Sequence, residues 1–538
     1  MANDDDALEM LLSDPETDPR ATYVLEPDDV AHLVARVVAA PGAPGHTTHS
    51  PLTGAPLAAV PRSGAQDVAR AAGLARTAQR EWAAVSPSRR ARVLLALHDL
   101  VLSEQSDILD LIQLESGKAR ASAFEEVADV AQVSRHYGLR GPGYLRQRRV
   151  PGMLPVLTQA RVHHRPIGVV GVIAPWNYPL TLALADVLPA LLAGNGVVLK
   201  PDEQTALSAL WAADALERAG LPAGLLQVVI GGAEVGSAVV DTVDHIVFTG
   251  STATGRIIAR QAGERLIGAT LELGGKNPMY VAADADVEAA AAGAVRACFS
   301  NSGQLCMSIE RLIVHADVAD AFLPAFVARV RAMRLGGDLD YSADMGSLVS
   351  AAHLERVAAH VDDAVARGAR VLTGGVHRSD VGELFYAPTV LADVPADAVC
   401  AREETFGPVV SVTVVPDDDA AIVAMNDTEY GLNASVWSGS AAHGRALAAR
   451  VEAGTVNVND GYAAAWGSVA APLGGWKASG LGRRHGRQGL LGLTEAQTVV
   501  VQRGGRHVSL DALFTLPEGK GQALLSTGLR ALKALRLP

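Results

Sequence analysis

One cysteine stands where a nucleophile could be reached. Cys306 lies in "FSNSGQLCMSIER", residues 299–311, behind Asn301, Ser302, Gly303 and Gln304 and between two apolar runs. Turn formers at an element boundary put a thiol where ligands arrive, whereas a free cysteine in a core is simply a small hydrophobe. A reactive cysteine needs partners elsewhere in the chain, and four stretches offer them. "VIAPWNYPL" runs a strand into a loop with Trp176 and Asn177. An amide there can donate to a developing oxyanion, although a plain turn asparagine would look the same. "LELGGK" sets Glu272 in an apolar context before a glycine pair. Burial favours its neutral form and suits it to proton transfer, with a buried structural glutamate as the rival. In "VVLKPDEQT", Lys200 and Glu203 follow the carboxyl end of a strand, the edge where doubly wound sheets bind nucleotides, or they are ordinary surface charges. In "HIVFTGSTATGRII", Gly250, Ser251 and Gly255 open a helix whose free amides favour a pyrophosphate, although the spacing is not GxGxxG.

The elements that must hold these residues follow from composition and pattern. The chain has 538 residues, of which 49% are hydrophobic, 19% charged and 53 are glycine, which suits a large α/β protein of more than one domain. A net charge of −12 argues against a general nucleic-acid binder. The three cysteines, Cys298, Cys306 and Cys400, are too few for a disulfide framework or a cysteine zinc site, so no metal is expected. The acidic start "MANDDDALEM" is unlike a secretory signal and no apolar run is long enough to span a bilayer, so a cytoplasmic protein is expected.

Residues 1–39 read as an acidic extension, its first twenty residues a mobile tail, with the fold starting near residue 40. Helical spacing runs from Asp67 to about His136 and breaks at "GPGYLRQRRVPGMLP", and a two-stranded excursion follows through "VLTQARVHHRP". From "IGVVGVIAP" onward, short β-branched runs alternate with helical ones, the signature of a parallel doubly wound sheet. A second alternating region runs from "LELGGKNPMYV" to "GTVNVN".

Taken in order, "PWNYP", "KPDEQT", "FTGSTATG", "LELGGK", "NSGQLC", "EETFGPV" and "GGWKASGLGR" resemble the motif set of the NAD(P)-dependent aldehyde dehydrogenase superfamily over residues 40–500. "NDTEYGLNASVW" and "GLGRRHGRQGLLGLTEAQT" are similar to its bacterial succinate-semialdehyde branch. The resemblance implies that Cys306 attacks the aldehyde as a thiolate. Asn177 and the Cys306 amide then hold the oxyanion, and Glu272 activates the water that hydrolyses the thioester. It implies cofactor contacts from Trp176, Lys200, Glu203, Gly232, Thr249, Gly250, Ser251, Gly255, Glu404 and Phe406. Cys298 and Cys400 match no catalytic position and are expected to be structural.

The implied architecture is a Rossmann-type NAD(P)-binding domain (40–144 and 166–273), an α/β catalytic domain (274–456) and a β oligomerisation flap (145–165 and 484–502). Residues 457–483 return to the cofactor domain and carry a substrate loop, and a homodimer or homotetramer is expected. Residues 503–538 form a basic tail, with Leu525, Leu529, Leu532 and Leu535 at helical spacing beside Lys520, Arg530, Lys533 and Arg536. It is expected to pack on a neighbouring subunit, with weak contact to an anionic membrane as the alternative.

Two departures bear on substrate and cofactor. Animal succinate-semialdehyde relatives place arginines where this chain has Ala185 and Ser300, so a carboxylate clamp has to come from Arg296, Arg311 or the loop "DGYAAAWGSVA". Glu203 resembles the glutamate of NAD-preferring members, so NAD is favoured over NADP. The alternatives are a broad-specificity aliphatic or aromatic aldehyde dehydrogenase and, more remotely, a non-catalytic member of the fold.

Overall fold

Two largely parallel sheets organise the chain and meet where the chemical residues gather. The computed structural model describes residues 25, 27–153, 158–503 and 514–536. In the first sheet the strands Val169–Ile173, Gly196–Lys200, Leu226–Val228, His245–Thr249 and Gly268–Glu272 are parallel, with Gly480–Leu481 antiparallel at one edge. Val169–Ile173 pairs with Gly196–Lys200 on one side and His245–Thr249 on the other, which is the topological switch point of a doubly wound sheet. The first, second and fourth of these strands are buried at every residue, so they read as continuous β-branched runs. Their pleat divides two cores: Val170, Val172, Val197 and Leu199 pack with Leu188 and Leu210, and Val169 and Val198 pack with Val68 and Val239.

The second sheet has seven strands in the order Arg370–Thr373, Thr389–Ala392, Val409–Val415, Ile309–His315, Asn277–Val281, Asn433–Trp437 and Thr455–Val458. All pairs except the first are parallel. The protein is therefore α/β with a nucleotide-type sheet beside a second parallel sheet. Cys298 and Cys400 are each buried among apolar side chains.

Four differences from the sequence expectation have local causes. The fold begins by Pro27, well before residue 40: the helix Pro27–Val34 docks on Ala206–Arg218, where Arg36 meets Asp214 at 2.5 Å and Glu217 at 2.6 Å. The amide of Val38 then bonds the carbonyl of Val228; residues 1–24 of the acidic extension lie outside the described residues. The helix Arg120–Tyr144 runs through the anticipated Gly-Pro break, since Pro142 removes one N–H donor near its end. The excursion has three antiparallel strands, Arg148–Pro151, Thr158–Pro166 and Thr494–Gln502. The flap segment 484–502 divides, because Arg484 is buried against Asp186 and the helix Gly486–Gly492 packs on Val187–Ala193. In the C-terminal tail Lys520–Ala534 is a helix with Leu525 and Leu532 half-buried and Leu529 and Leu535 exposed. No described helix is long and apolar enough to cross a membrane, and no metal-binding group of His, Cys, Asp or Glu occurs among the described residues.

Candidate active site

Cys306 is delivered by a turn that sequence and packing hold in an unusual shape. After the helix Val287–Phe299, Asn301 (φ 50°), Ser302 (φ 57°) and Gly303 (φ 70°) run left-handed in succession, a costly arrangement that has to be held from outside. The Asn301 amide N–H donates to Ser122 Oγ at 3.1 Å, and Asn301 Nδ2 donates to the carbonyls of Asn177 and Gln304, each at 3.0 Å. A Cβ on Gly303 would sit 2.1 Å from the carbonyl of Gly407, so glycine is required there. Asn277 Nδ2 fixes the carbonyl of Cys306 at 2.7 Å. The Gly274-Gly275 pair allows two close approaches: a Cβ would lie 2.4 Å from Glu404 Oε2 at the first and 2.8 Å from the Cys306 carbonyl at the second.

Asn177 comes from the turn after Val169–Ile173. A fully buried ion pair holds it: Lys118 Nζ donates to Glu126 Oε1 at 2.5 Å and to the Asn177 carbonyl at 2.7 Å. The other Glu126 oxygen accepts the amides of Leu180 and Thr181. Asn177 Nδ2 donates to the Gln304 carbonyl at 2.9 Å, so the amide group sits against the cysteine turn. Glu272 ends its strand, 5% exposed, with Oε1 unpartnered among the described residues.

These side chains line one cavity of about 230 Å³. Of the residues expected at the site it brings together Trp176, Asn177, Thr249, Gly250, Ser251, Glu272, Cys306, Glu404 and Phe406. Lys200, Glu203 and Gly232 do not line it: Lys200 is buried at the end of the strand beside the one that leads to Asn177, Glu203 bonds Arg62 and Gly232 caps the helix Ala233–Thr242. Gly255 is absent from the cavity lining; a Cβ there would strike Leu273 at 2.4 Å, so its glycine is needed to pack the helix Thr252–Glu264.

His353 and Arg356 also line the cavity, and sequence reasoning missed both. His353 forms an aromatic wall with Trp176 and Phe406, with ring centroids 5.5–6.1 Å apart, and its Nε2 bonds the Phe406 carbonyl at 2.7 Å. Arg356 holds the Glu404 carbonyl at 2.8 Å. Glu310, four residues after Cys306, pairs with buried Lys276 and accepts the amides of Thr405 and Phe406, so it fixes the "EETF" loop. No local pattern in "SAAHLERV" or "SIER" marks these roles, which arise from contacts distant in sequence.

The electrostatics are those of a crowded, desolvated site. Burial, followed by the carboxyls of Glu404 and Glu272, pushes the Cys306 thiol up to about 12, with Arg484 pulling the other way. In this cavity the group rests as a thiol, so the thiolate that the resemblance implies would have to form as it attacks. Burial raises Glu272 to about 8 against the attraction of Arg484. Glu404 is likewise raised to about 8 by burial and then by Glu310.

A second cavity of about 140 Å³ opens beyond the same turn, lined by Leu305 and Tyr178, each adjacent in sequence to a residue of the first cavity. Arg296 reaches it, with Nη2 3.0 Å from Glu125 Oε1, and the hydroxyls of Tyr178 and Tyr462 donate to Glu125 as well. Asp129 lies in its wall, 2% exposed and raised by burial to about 7. Arg311 is not available there, since its donors are spent on the carbonyls of Lys276, Ala424 and Met425. Of the loop "DGYAAAWGSVA", Tyr462 and Trp466 reach this cavity.

A nucleotide-type sheet whose switch-point edge faces a cysteine, an amide and a buried carboxyl defines a dehydrogenase-like class of site. Residues 40–499 match the model of the Aldehyde dehydrogenase family, and the chain belongs to that family. It is 51% identical over 461 residues to a putative succinate-semialdehyde dehydrogenase [NADP(+)] 2 of Mycobacterium ulcerans, covering 86% of this chain and 89% of the relative. It is 52% identical over 452 residues to a putative succinate-semialdehyde dehydrogenase [NADP(+)] of Mycolicibacterium smegmatis, covering 84% and 87%. A solved NAD-dependent aldehyde dehydrogenase of Sinorhizobium meliloti superposes with a TM-score of 0.83 at 34% identity, covering 87% of this chain and 93% of that one. An NAD(P)-linked activity is supported. The expected preference for NAD is not, since these curated relatives carry NADP(+) in their names.

Proposed function

We propose that the protein oxidises a short aldehyde bearing a distal carboxylate, with succinate semialdehyde as the substrate, to the corresponding acid with NADP(+). The observation that carries this reading is the single cavity shared by Cys306, Asn177 and Glu272, with a second cavity holding Arg296 on the other side of the cysteine turn. Cys306 Sγ attacks the aldehyde carbon as its proton passes to water, and the carbonyl π pair moves onto oxygen to give a thiohemiacetal anion. Asn177 Nδ2 and the Cys306 amide stabilise the oxyanion. A nicotinamide held beside Glu404 and Phe406 would supply the hydride acceptor that lets the thiohemiacetal collapse to a thioester on Cys306. Ionised Glu272 then takes a proton from water, which cleaves the thioester and frees the acid.

The chain has the groups a dinucleotide needs. Lys200 and Glu203, at and just after the end of the strand Gly196–Lys200, would hold the adenosine ribose, and Gly250 and Ser251, at the start of the helix Thr252–Glu264, would offer free amides to a pyrophosphate. Glu404 and Phe406, which line the cavity of Cys306, would border the nicotinamide. Gly255 serves by letting that helix approach the sheet.

Arg296, with the Tyr178 and Tyr462 hydroxyls, supports an anchor for the distal carboxylate. Glu125 already takes a bond from each of the three, and that favours the second reading, a broader aldehyde dehydrogenase. Initial rates at 340 nm with succinate semialdehyde and with hexanal, each with NAD and NADP, separate the two. A semialdehyde efficiency well above that for hexanal is the expected result, and equal or reversed efficiencies would establish the broader activity.

A further inference from the structure

The adenosine end of the nucleotide sheet holds a cation that no motif marks. Arg62 follows the strand Pro56–Pro61, and its backbone is fixed on both sides. Its N–H donates to the Pro44 carbonyl at 3.0 Å, and the next residue, Ser63, bonds the Ile230 carbonyl through its N–H at 2.7 Å and the Ile230 amide through Oγ at 3.0 Å. Ile230 directly precedes Gly231 and Gly232, the turn that starts the helix Ala233–Thr242. From this platform Arg62 Nε donates to Glu203 Oε1 at 2.6 Å. The Arg62 side chain remains 45% exposed, and its two terminal amino groups have no hydrogen-bond or ion-pair partner among the described residues. Lys200 runs past the same helix start, its Cδ 3.9 Å from where a Cβ on Gly236 would be.

A bare glutamate beside the ribose accepts the 2′-hydroxyl and repels a 2′-phosphate. With Arg62 present that balance changes, because a guanidinium is a planar fork that can engage one anion through Nε and another through its terminal amino groups. We propose that Arg62 is the cofactor-specificity residue: its Nε neutralises Glu203 while its free amino groups hold the 2′-phosphate, so that one site takes NADP as well as NAD. This rests on the NAD(P)-linked reading above and names the residue that sets its cofactor range.

The full-length protein carrying Arg62→Ala, Arg62→Lys or Glu203→Gln tests it by two readouts. The first is the ratio of kcat/KM for NADP to that for NAD. The second is calorimetric binding of 2′,5′-ADP against 5′-AMP, which needs no turnover. Arg62→Ala is expected to lower the NADP/NAD ratio and the 2′,5′-ADP affinity by at least tenfold, with Arg62→Lys recovering part of the phosphate affinity. Glu203→Gln is expected to move the ratio the other way. An unmoved ratio together with undiminished 2′,5′-ADP binding in Arg62→Ala would overturn the proposal. Failure of the wild-type protein to oxidise any aldehyde, with Arg62-dependent binding of 2′,5′-ADP intact, would remove the catalytic reading and leave the assignment of Arg62 supported.

Discussion

Burial and two neighbouring carboxyls hold the Cys306 thiol at about 12, so in the proposed mechanism it has to shed its proton as the aldehyde engages. Replacement by alanine removes the attacking atom without touching the adenosine end. Cys306→Ala is expected to abolish oxidation while NADP titration by tryptophan fluorescence still shows binding. Glu272 rests near pH 8 because burial favours its neutral form. A base has to be ionised to act, so hydrolysis of the thioester should quicken as pH rises through about 8 and fall away below it. Stopped-flow records of Glu272→Gln should keep the first burst of reduced cofactor, slow the following turnover by about 10²–10⁴-fold, and lose that rise with pH. On the proposed reading, the balance between Arg296 and Glu125 at the second cavity would decide charge preference. Arg296→Ala should raise the KM for succinate semialdehyde about tenfold and leave that for hexanal nearly unchanged, the loss of one charge-assisted bond. Glu125→Gln should lower the KM for the anionic substrate by removing its competitor, and steady-state comparison of both variants checks the pair.

At the scale of elements, the site depends on ion pairs that lock distant segments together. Arg484 follows the edge strand Gly480–Leu481; it is buried, pairs with Asp186 at 2.5 Å and donates to Thr249 Oγ1 at 2.8 Å. It thereby joins three pieces of chain around Glu272. Breaking a buried pair from one side leaves an uncompensated charge and costs about 3–5 kcal/mol, whereas replacing both partners by apolar residues recovers much of that. Arg484→Met and Asp186→Leu are each expected to lower the thermal-unfolding midpoint markedly, with the double variant more stable than either. A double variant no better than the worse single one would show that the bond to Thr249 carries the effect. Contacts of this kind also explain what the sequence could not disclose. Cys306, Asn177, Glu272 and the "EETF" loop were legible because each sits in a short motif at a strand end or turn, and the βαβ alternation was legible because buried parallel strands read as apolar runs. Arg484 with Asp186, Arg62 with Glu203, and Glu310 with Phe406 are separated by 298, 141 and 96 residues. Periodicity carries no trace of such pairings. The N-terminal helix was hidden for the same reason, since it is held by Leu33 in the main core and by His32 and Arg36 reaching Asp214 across 182 and 178 residues.

At the scale of the whole molecule, the three-stranded sheet is an incomplete object. Thr494–Gln502 pairs on one side with Thr158–Pro166, its other edge has no strand partner among the described residues, and Val499, Val500 and Val501 are all exposed. A long, flat, apolar edge is a template for another chain, and natural proteins blunt or cover such edges. The C-terminal helix adds exposed Leu524, Leu529 and Leu535 on a segment that packs on little of its own chain. A second copy docked on both would bury such surfaces at about 25 cal/mol per Å², an ample driving force for a standard-sized interface. Light scattering after size exclusion is expected to give at least twice the 55.8 kDa of one chain. Val500→Pro, which removes a donor from the edge and stiffens it, should shift that population towards the single chain. The nucleotide sheet and the three-stranded sheet share no strand, so cofactor binding should persist in the variant even where assembly is lost. A wild-type protein that runs at one chain mass across the micromolar range would mean that the edge is covered by something other than a second copy.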